Sequence, residues 1–420
     1  MLALLAFFAC SSNSDDAVAD TPQFWHVTLT ASMGDADTRA LSEGENNVIT
    51  ASFTAGDVVK VLKSDGTEVC ELTAKTAGAS TTLEGTVSGT FNINEVLTFR
   101  YRSTTANYDS QVGTLEGIAD NQDYAEGTLT VSATNPLTFT STKVSLAAKQ
   151  SITKFTFKCG SNNVSVKTFG IAATGLVQSI AAAGTETIGP VTGTLSTTSS
   201  DVYVALRNNT SGSQTYSFMI KDGSGNWYTG KKSAPLINGK NYTADVNLTQ
   251  LPALSSSSDV GTIGVVGGLP AIVISGNKAV ALMNVGALCP EAYGEYYTFA
   301  NRASGLAGTS WYVPTKDELD ALAGITNKTW TTQNGVNGCL FTIGGNTLFL
   351  PAAGLDDGDN IPQDFSFVST EGYYWSSIEV DGSLAYALHL DNDPNFTVKT
   401  LSWYRIDALT VRPFHALNNN

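Results

Sequence analysis

Residues 202–223 read VYVALRNNTSGSQTYSFMIKDG, and this stretch decides the fold class. Its two apolar runs, 202–206 and 216–220, are rich in β-branched and aromatic residues, which pack well on the pleated surface of a sheet. Asn, Thr, Ser and Gly separate the runs, and Lys221-Asp222-Gly223 after the second run suits a hairpin turn. The stretch therefore predicts short β-strands joined by tight turns.

Segments of the same kind recur from Phe24 to Leu248. They include 25–29 (WHVTL), 58–61 (VVKV), 98–101 (TFRY) and 155–157 (FTF). No part of this stretch shows an apolar period of 3.6 residues over helical length. Many short strands with Gly-rich turns form sandwiches or barrels, and the length of the stretch favours two sandwiches over one.

The charge balance is acidic: 23 Lys and Arg stand against 38 Asp and Glu, a formal net charge of −15 over 420 residues. Binding to nucleic acid, or to anionic lipid through a polybasic patch, depends on clustered Lys and Arg. The composition therefore argues against a nucleic-acid partner. The chain has three histidines, which leave little material for a histidine-based metal centre.

The sequence contains none of the short motifs that position a catalytic serine, a zinc ion, a nucleotide phosphate or a dinucleotide. We therefore predict that the protein is not an enzyme and uses no cofactor. A divergent active site that no motif reveals is the remaining enzymatic alternative.

The N-terminal stretch MLALLAFFA (1–9) precedes Cys10. An apolar run that ends in a small residue before Cys is typical of a bacterial lipoprotein signal, in which the thiol is acylated. The run is too short to span a bilayer, which needs about 20 residues, and it lacks a positively charged beginning, so we expect translation to start further upstream. The alternative is an ordinary buried cysteine. The acidic residues that follow resemble the export signal of surface lipoproteins of the Bacteroides group, which implies an anchor in the outer membrane.

The other four cysteines show no Cys-x-x-Cys spacing, so a zinc site is not predicted. Cys289 and Cys339 fall in one predicted domain. A disulfide between them and two isolated buried thiols both remain open.

The composition changes after 251–259, a Pro- and Ser-rich segment that we interpret as an interdomain linker. Four of the six tryptophans follow it: Trp311, Trp330, Trp375 and Trp403. Thr315 and Glu318 have the spacing of a capping box, which predicts a helix with Leu319 and Leu322 on its buried face. This last part is predicted to be α+β.

The first 250 residues resemble the fimbrillin pilins of Bacteroidetes (FimA-like and Mfa-like proteins). The similarity lies in Thr38-Arg39-Ala40, in ASFTAGD (51–57) and in NGKNYTADVNL (238–248). It implies two transthyretin-like β-sandwiches, export as a lipoprotein and protease cleavage between Arg39 and Ala40 that removes the first strand. The groove would then accept a strand from another fimbrial subunit. The alternative for Arg39 is a solvated loop arginine.

Residues 260–420 resemble the Fibrobacter major paralogous domain, a relative of C-type-lectin-like folds. Six words carry the similarity: GTIG (261–264), MNVGA (283–287), WYVPTKDEL (311–319), FLPAAG (349–354), YYWSS (373–377) and VRPF (411–414). The resemblance implies a β-rich scaffold whose long loops bind a ligand, without naming that ligand. Within the last word, we expect Arg412 to make a buried structural pair and not a catalytic contact.

Two acidic loops are candidates for recognition, one with Asp356 and Asp357 and the other with Asp391 and Asp393. Clustered carboxylates suit Ca²⁺. Neither loop has the spacing of a known calcium motif, and turn-forming Asp and Asn in solvated loops are the commoner explanation, so no metal is predicted. Trp403 and Tyr404 are candidates for stacking on sugar rings.

The sequence thus predicts a mainly β protein with two transthyretin-like sandwiches and an α+β C-type-lectin-like domain. The expected divisions are an exported segment (1–23), the sandwiches (24–145 and 146–250), a linker (251–259) and the lectin-like domain (260–420). The predicted function is a tip or minor pilin that acts as an adhesin for a host or bacterial surface glycan or protein. The alternative is a surface lipoprotein that binds a ligand without polymerising.

Overall fold

A sheet that closes on itself dominates the first part of the computed structural model, which describes residues 23–33, 42–43, 49–50, 52–357, 365–392 and 396–417. The strands of this part are β1 (Gln23–Met33), β2 (Ser42–Glu43), β3 (Ile49–Thr50), β4 (Val58–Leu62), β5 (Glu68–Ala74), β6 (Ser80–Gly89), β7 (Val96–Tyr101), β8 (Ala106–Asn107), β9 (Ala125–Thr134), β10 (Leu137–Phe139) and β11 (Lys143–Ala148). Short strands β2 and β3 pair only with each other among the described residues.

The strand order of the first sheet is β10-β9-β11-β1-β6-β5-β4-β7, and β9 also pairs with β7. The sheet is therefore a barrel. Gly127 of β9 sits at the point of closure, where it pairs with Phe99 of β7. A Cβ atom there would lie 2.2 Å from the carbonyl oxygen of Ser145 in β11, so only glycine permits this approach. The barrel interior is filled by Val59, Val61, Leu72, Leu83, Leu97, Phe99 and Val131.

The second sheet encloses a hydrophobic core that is separate from the core of the barrel. Its strands are β12 (Ser151–Cys159), β13 (Asn162–Asn163), β14 (Val166–Ala172), β15 (Leu176–Ile180), β16 (Glu186–Ile188), β17 (Val191–Ser199), β18 (Asp201–Asn208), β19 (Gln214–Asp222), β20 (Trp227–Ala234) and β21 (Asn241–Gln250). The order is β16-β15-β18-β12-β21-β20-β19-β14-β17, with β13 paired to β12 and β8 paired to β15. Strand β21 pairs with β12 through residues 241–247 and with β20 through residues 248–250.

Three phenylalanine rings mark the centre of this second core. Phe218 lies 5.2 Å from Phe155 and 5.6 Å from Phe157, measured between ring centroids. Tyr108 and Tyr124, which come earlier in the chain, are buried in the same cluster. The strands predicted at 155–157, 202–206 and 216–220 are confirmed as parts of β12, β18 and β19.

A short helix, α1 (Leu115–Asn121), was not predicted from the sequence. Thr114 caps it by accepting a hydrogen bond from the backbone N–H of Gly117. Ile118 is buried against the second core. The helix is too brief to show an apolar period, so no sequence pattern predicts it.

The last part of the chain contains four small sheets and one α-helix among its described residues. Its elements are β22 (Ile263–Val266), β23 (Leu269–Ser275), β24 (Lys278–Ala281), β25 (Tyr297–Thr298), α2 (Lys316–Ala323), β26 (Lys328–Gln333), β27 (Val336–Ile343), β28 (Asn346–Pro351), β29 (Leu355–Asp356), β30 (Phe365–Ser366), β31 (Glu371–Glu379), β32 (Leu384–Asp391), β33 (Thr397–Tyr404), β34 (Ala408–Leu409) and β35 (Phe414–Ala416), with 3-10 turns at Phe299–Asn301 and Ser304–Leu306. Over the described residues, strands account for 57% and helices for 6%, so the mainly β prediction is confirmed.

The four sheets of this part are ordered β22-β23-β24-β35, β25-β34-β29-β30, β26-β27-β28 and β31-β32-β33. Helix α2 confirms the predicted capping box. The Thr315 side chain accepts from the backbone of Glu318, and the Glu318 carboxylate accepts from the backbone of Thr315. Leu319 and Leu322 are fully buried, as predicted.

The second sheet and the last part of the chain share a core. Met219 and Trp227 are buried in one cluster with Ile272 and Leu282, and the indole N–H of Trp227 donates to the carbonyl of Gly268 at 2.9 Å. The predicted linker, residues 251–259, is hydrogen-bonded both to the second sheet and to the last part of the chain. The N–H of Leu251 donates to Trp227, and the N–H of Leu254 donates to Val265.

Candidate functional site

Strand β1 lies in the wall of the barrel, with β6 on one side and β11 on the other. It pairs with β6 in antiparallel register from Gln23↔Gly89 to Ser32↔Ser80. On its other side it pairs with β11 in parallel register from Thr30↔Lys143 to Met33↔Leu146. Residues 30–32 are therefore paired on both edges, whereas residues 23–29 pair with β6 alone among the described strands.

The side chains of β1 alternate between core and solvent. Val27, Leu29 and Ala31 are buried, with exposed fractions of 6%, 4% and 0%, whereas His26 and Thr28 are exposed. Full burial of a Val or Leu side chain contributes about 1.5–3 kcal/mol. The first strand is thus an integral part of the barrel core.

Removal of β1 would leave a gap between β6 and β11. Leu83 of β6 lies opposite Leu29, and Val144 and Leu146 of β11 are buried beside the strand. These side chains would line an apolar groove with an unpaired strand edge on each side. Unpaired edges of this kind pair readily with a strand of another chain. The predicted cleavage residues Arg39 and Ala40, and the predicted lipidation residue Cys10, lie outside the described residues.

Trp403 and Tyr404 are neighbours on β33, so their side chains point to opposite faces of the sheet. The Trp403 ring centroid is 4.5 Å from that of Tyr373, and its indole N–H donates to Asp407 at 2.8 Å. Tyr404 is 61% exposed on the other face. The structure does not bring these two candidates together around one ligand.

Asp391 lies in a cluster that the sequence did not reveal. It is paired in register with Glu371, two residues along the strands from the Tyr373↔His389 pair. The rings of Tyr373 and His389 stack at 4.6 Å. His389 Nε2 is 2.7 Å from Glu371 Oε2, which also accepts from the Tyr373 hydroxyl. Burial and the Glu371 carboxylate raise the pKa of Tyr373, so its hydroxyl stays a donor.

Three of the cluster's members, Glu371, Tyr373 and His389, are on two strands and carry no shared local motif, so sequence spacing offered no signal for them. The remaining candidate of that loop, Asp393, is outside the described residues.

Asp356 and Asp357 take different positions. Asp356 is 8% exposed and faces Phe365 across the β29–β30 pair, while Asp357 is half-buried. Burial, together with the nearby Asp356 charge, raises the pKa of Tyr296. Across the part of the chain that the structure describes, no group of three or more His, Cys, Asp or Glu is placed to hold a metal ion.

Cys70, Cys159, Cys289 and Cys339 are free thiols, so Cys289 and Cys339 are not bridged to each other. Both are buried, and burial raises the pKa of Cys339 to about 12. Such protonated thiols are poor nucleophiles. No helix within the described ranges is long and apolar enough to cross a membrane.

No protein-family model matches the chain, and no curated protein matches it either. Among solved structures, a fimbrial assembly protein from Parabacteroides distasonis is similar at 13% identity, over 55% of this chain and 100% of that one, with a TM-score of 0.28. The tip fimbrial protein Mfa3 from Porphyromonas gingivalis is similar at 9% identity, over 54% of this chain and 98% of that one, with a TM-score of 0.28. The minor pilin GBS52 from Streptococcus agalactiae is similar at 9% identity, over 56% of this chain and 100% of that one, with a TM-score of 0.20. No functional conclusion follows from likeness this distant.

Proposed function

We propose that the protein is a cell-surface fimbrial subunit that acts as an adhesin and is assembled by strand addition. The observation that carries this proposal is the position of β1. It precedes every other described strand, and it forms the part of the barrel wall between β6 and β11. A single cut in the segment after β1 would therefore sever it from the rest of the chain.

Cleavage between Arg39 and Ala40 would make that cut. The groove left by β1 offers two rows of backbone donors and acceptors and a line of apolar pockets. An incoming strand with alternating apolar residues would recover both the hydrogen bonds and the buried side chains. The partner is thus another fimbrial subunit that lends such a strand.

The proposed location is the cell surface, with the chain anchored in the outer membrane through an acylated Cys10. Acylation at this residue would hold the uncut subunit at the membrane. Cleavage after Arg39 would then release the subunit from its lipid in the same step that opens the groove.

The proposed place in the fimbria is the tip. Each strand from β12 to β35 pairs with another strand of the same chain, so none of them is free to act as a donor strand for another subunit. Strand β21 is paired on both sides, and the segment after it is tied to Trp227 and Val265. Such a subunit accepts a strand but does not donate one.

The alternative is a lipid-anchored binding protein that never polymerises. It is favoured by the pairing of β1 in the uncut barrel, where residues 23–32 pair with β6 and residues 30–33 pair with β11, so that β1 itself fills the position a further strand would take.

Expression of an Arg39→Ala variant distinguishes these two functions. We expect it to accumulate as an uncut precursor that is absent from fimbriae, whereas an Arg102→Ala control is processed normally. N-terminal sequencing of the fimbrial protein should give Ala40 as the first residue. Normal assembly of Arg39→Ala would show that cleavage occurs at a different site, whereas absence of the unchanged protein from fimbriae would favour the non-polymerising alternative. Palmitate labelling that persists in Cys10→Ala would remove the lipid anchor from the proposal.

A further inference from the structure

A cleft of about 530 Å³ lies where the second sheet meets the last part of the chain. Asp109, Gln178 and Thr187 line it from the second sheet, and Glu295, Tyr296 and Phe365 line it from the opposite side. A neighbouring cavity of about 450 Å³ shares Asp109, Gln178 and Thr187 with it. The two cavities therefore form one groove, long enough for an extended ligand.

One wall of the groove is aromatic. The ring centroids of Tyr296 and Phe365 lie 4.9 Å apart. The Tyr296 hydroxyl donates to the carbonyl of Ala353, which fixes its ring, and Phe365 remains 44% exposed. An exposed, fixed aromatic face suits the C–H-rich face of a sugar ring, because both surfaces are flat and apolar.

The other wall is polar and held in place. One oxygen of Asp109 accepts from the backbone N–H and the hydroxyl of Thr192, at 2.8 and 2.7 Å, and its second oxygen takes no hydrogen bond from the described residues. The Gln178 amide donates to the carbonyl of Pro190 at 3.1 Å. No other hydrogen bond to this side chain comes from the described residues, which leaves its side-chain carbonyl oxygen and one amide hydrogen available. A carboxylate and an amide with spare acceptors and donors match sugar hydroxyls, which both give and accept hydrogen bonds.

The charge of the groove selects against anions. Taken together, the described residues that line the two cavities include Asp109 and Glu295 but no Lys, Arg or His. A phosphate, sulfate or sialic acid would meet these carboxylates without a compensating cation, which is unfavourable. A neutral ligand meets no such repulsion.

From the aromatic wall, the fixed polar wall and the charge, we infer that this groove binds a neutral oligosaccharide. One sugar ring lies against Phe365, and the following units run along the second sheet past Asp109 and Gln178. This inference rests on the proposed function, since it names the ligand class of the adhesin. It places the ligand between two parts of the chain and away from Trp403 and Tyr404.

The test is binding of the purified full chain to an array of neutral, sialylated and sulfated glycans, followed by calorimetric titration of the best neutral one. We expect Phe365→Ala to weaken binding by about tenfold, which corresponds to 1.4 kcal/mol. Tyr404→Ala is the matched control, because it removes a more exposed aromatic ring outside the groove and should leave affinity unchanged.

Preference for anionic glycans, or loss of binding in Tyr404→Ala with none in Phe365→Ala, would overturn the inference. So would the absence of glycan binding or the binding of peptides alone. These results are separable from the assembly function, because Arg39→Ala is scored by processing and fimbrial incorporation, and the array is scored on purified protein.

Discussion

Arg412 is fully buried, and its guanidinium is held by backbone carbonyls. Its Nη1 donates to Ala281 and its Nη2 to Phe349, both at 3.1 Å. Burial lowers the pKa of Arg412 to about 10, so the group is still charged at neutral pH. The side chain thus joins β24 to β28 from inside the core, which agrees with the structural role expected for it.

We predict that Arg412→Met destabilises the last part of the chain by about 2 kcal/mol, because two buried carbonyls lose their donors while the volume is nearly kept. Thermal unfolding of the full chain measures this. Arg405→Met is the control, since Arg405 makes a surface ion pair with Glu379 at 3.1 Å, and such pairs are worth about 0–1 kcal/mol. Equal effects of the two variants would contradict the role given to Arg412.

At the residue scale, the sequence predicts those features whose signal is local and does not predict those that depend on distant segments. The alternation rule for strands already implies that Trp403 and Tyr404 point apart, and the structure shows the consequence. Phe365, Asp109 and Gln178 come from three distant segments. Nothing in their immediate sequence indicates that they meet, because their proximity depends on how the second sheet packs against the last part.

At the scale of single elements, α2 is the best predicted. All of its signals, the cap at Thr315, the return contact from Glu318 and the apolar pair Leu319 and Leu322, lie within one short stretch. Glu318 does more than cap. Its carboxylate also accepts from Lys278 at 2.6 Å and from the Tyr312 hydroxyl at 2.8 Å.

We predict that Glu318→Gln lowers stability at neutral pH and has little effect in acid. Burial acts to raise the pKa of Glu318, but the hydrogen bonds from Lys278, Thr315 and Tyr312 outweigh it, and the pKa is lowered. A carboxyl group with a lowered pKa stabilises the fold above its unfolded-state pKa, near 4.3, and this contribution disappears as the pH falls through the folded-state value. A Gln at this position can still accept from the Thr315 backbone, so the cap is kept and the loss comes from the charge.

The measurement is the difference in melting temperature between Glu318→Gln and the unchanged protein, followed from pH 7 downward. Asp317→Asn serves as the control, because Asp317 is exposed in the same first turn. A difference that stays constant with pH would show that the ionised form of Glu318 contributes nothing.

Strands were predicted as elements, but their partners were not. The alternation in 25–29 identifies β1, yet its parallel neighbour β11 is more than a hundred residues away in the chain. Which strands pair is decided by how the barrel closes and which side chains fill it, and no local pattern carries that information. The same limit applies to the groove, whose walls come from both sides of the 251–259 segment.

At the scale of the whole molecule, the second sheet and the last part are joined by a shared core around Trp227 and by the tied segment after β21. This arrangement leaves the groove at the junction, and each described strand from β12 to β35 is paired within the chain. We predict that immunogold labelling with antibodies against residues 260–420 marks fimbriae singly, at one end. Antibodies against a shaft subunit are the control. Regular labelling along the shaft would show that this chain also donates a strand, and the tip position would be abandoned.

The two-sided pairing of β1 has a mechanical consequence. Strand β1 is hydrogen-bonded to β6 on one edge and to β11 on the other. If it is pulled along its own axis, it is loaded in shear, so its hydrogen bonds bear the force together. The same strand pulled at a right angle to its axis would instead be peeled away one bond at a time, and pairing on a second edge adds bonds to the ladder that bears the shear. A donor strand that took the place of β1 would inherit the first geometry. A cell tethered in flowing fluid through such a joint would stay attached until the whole ladder slid at once.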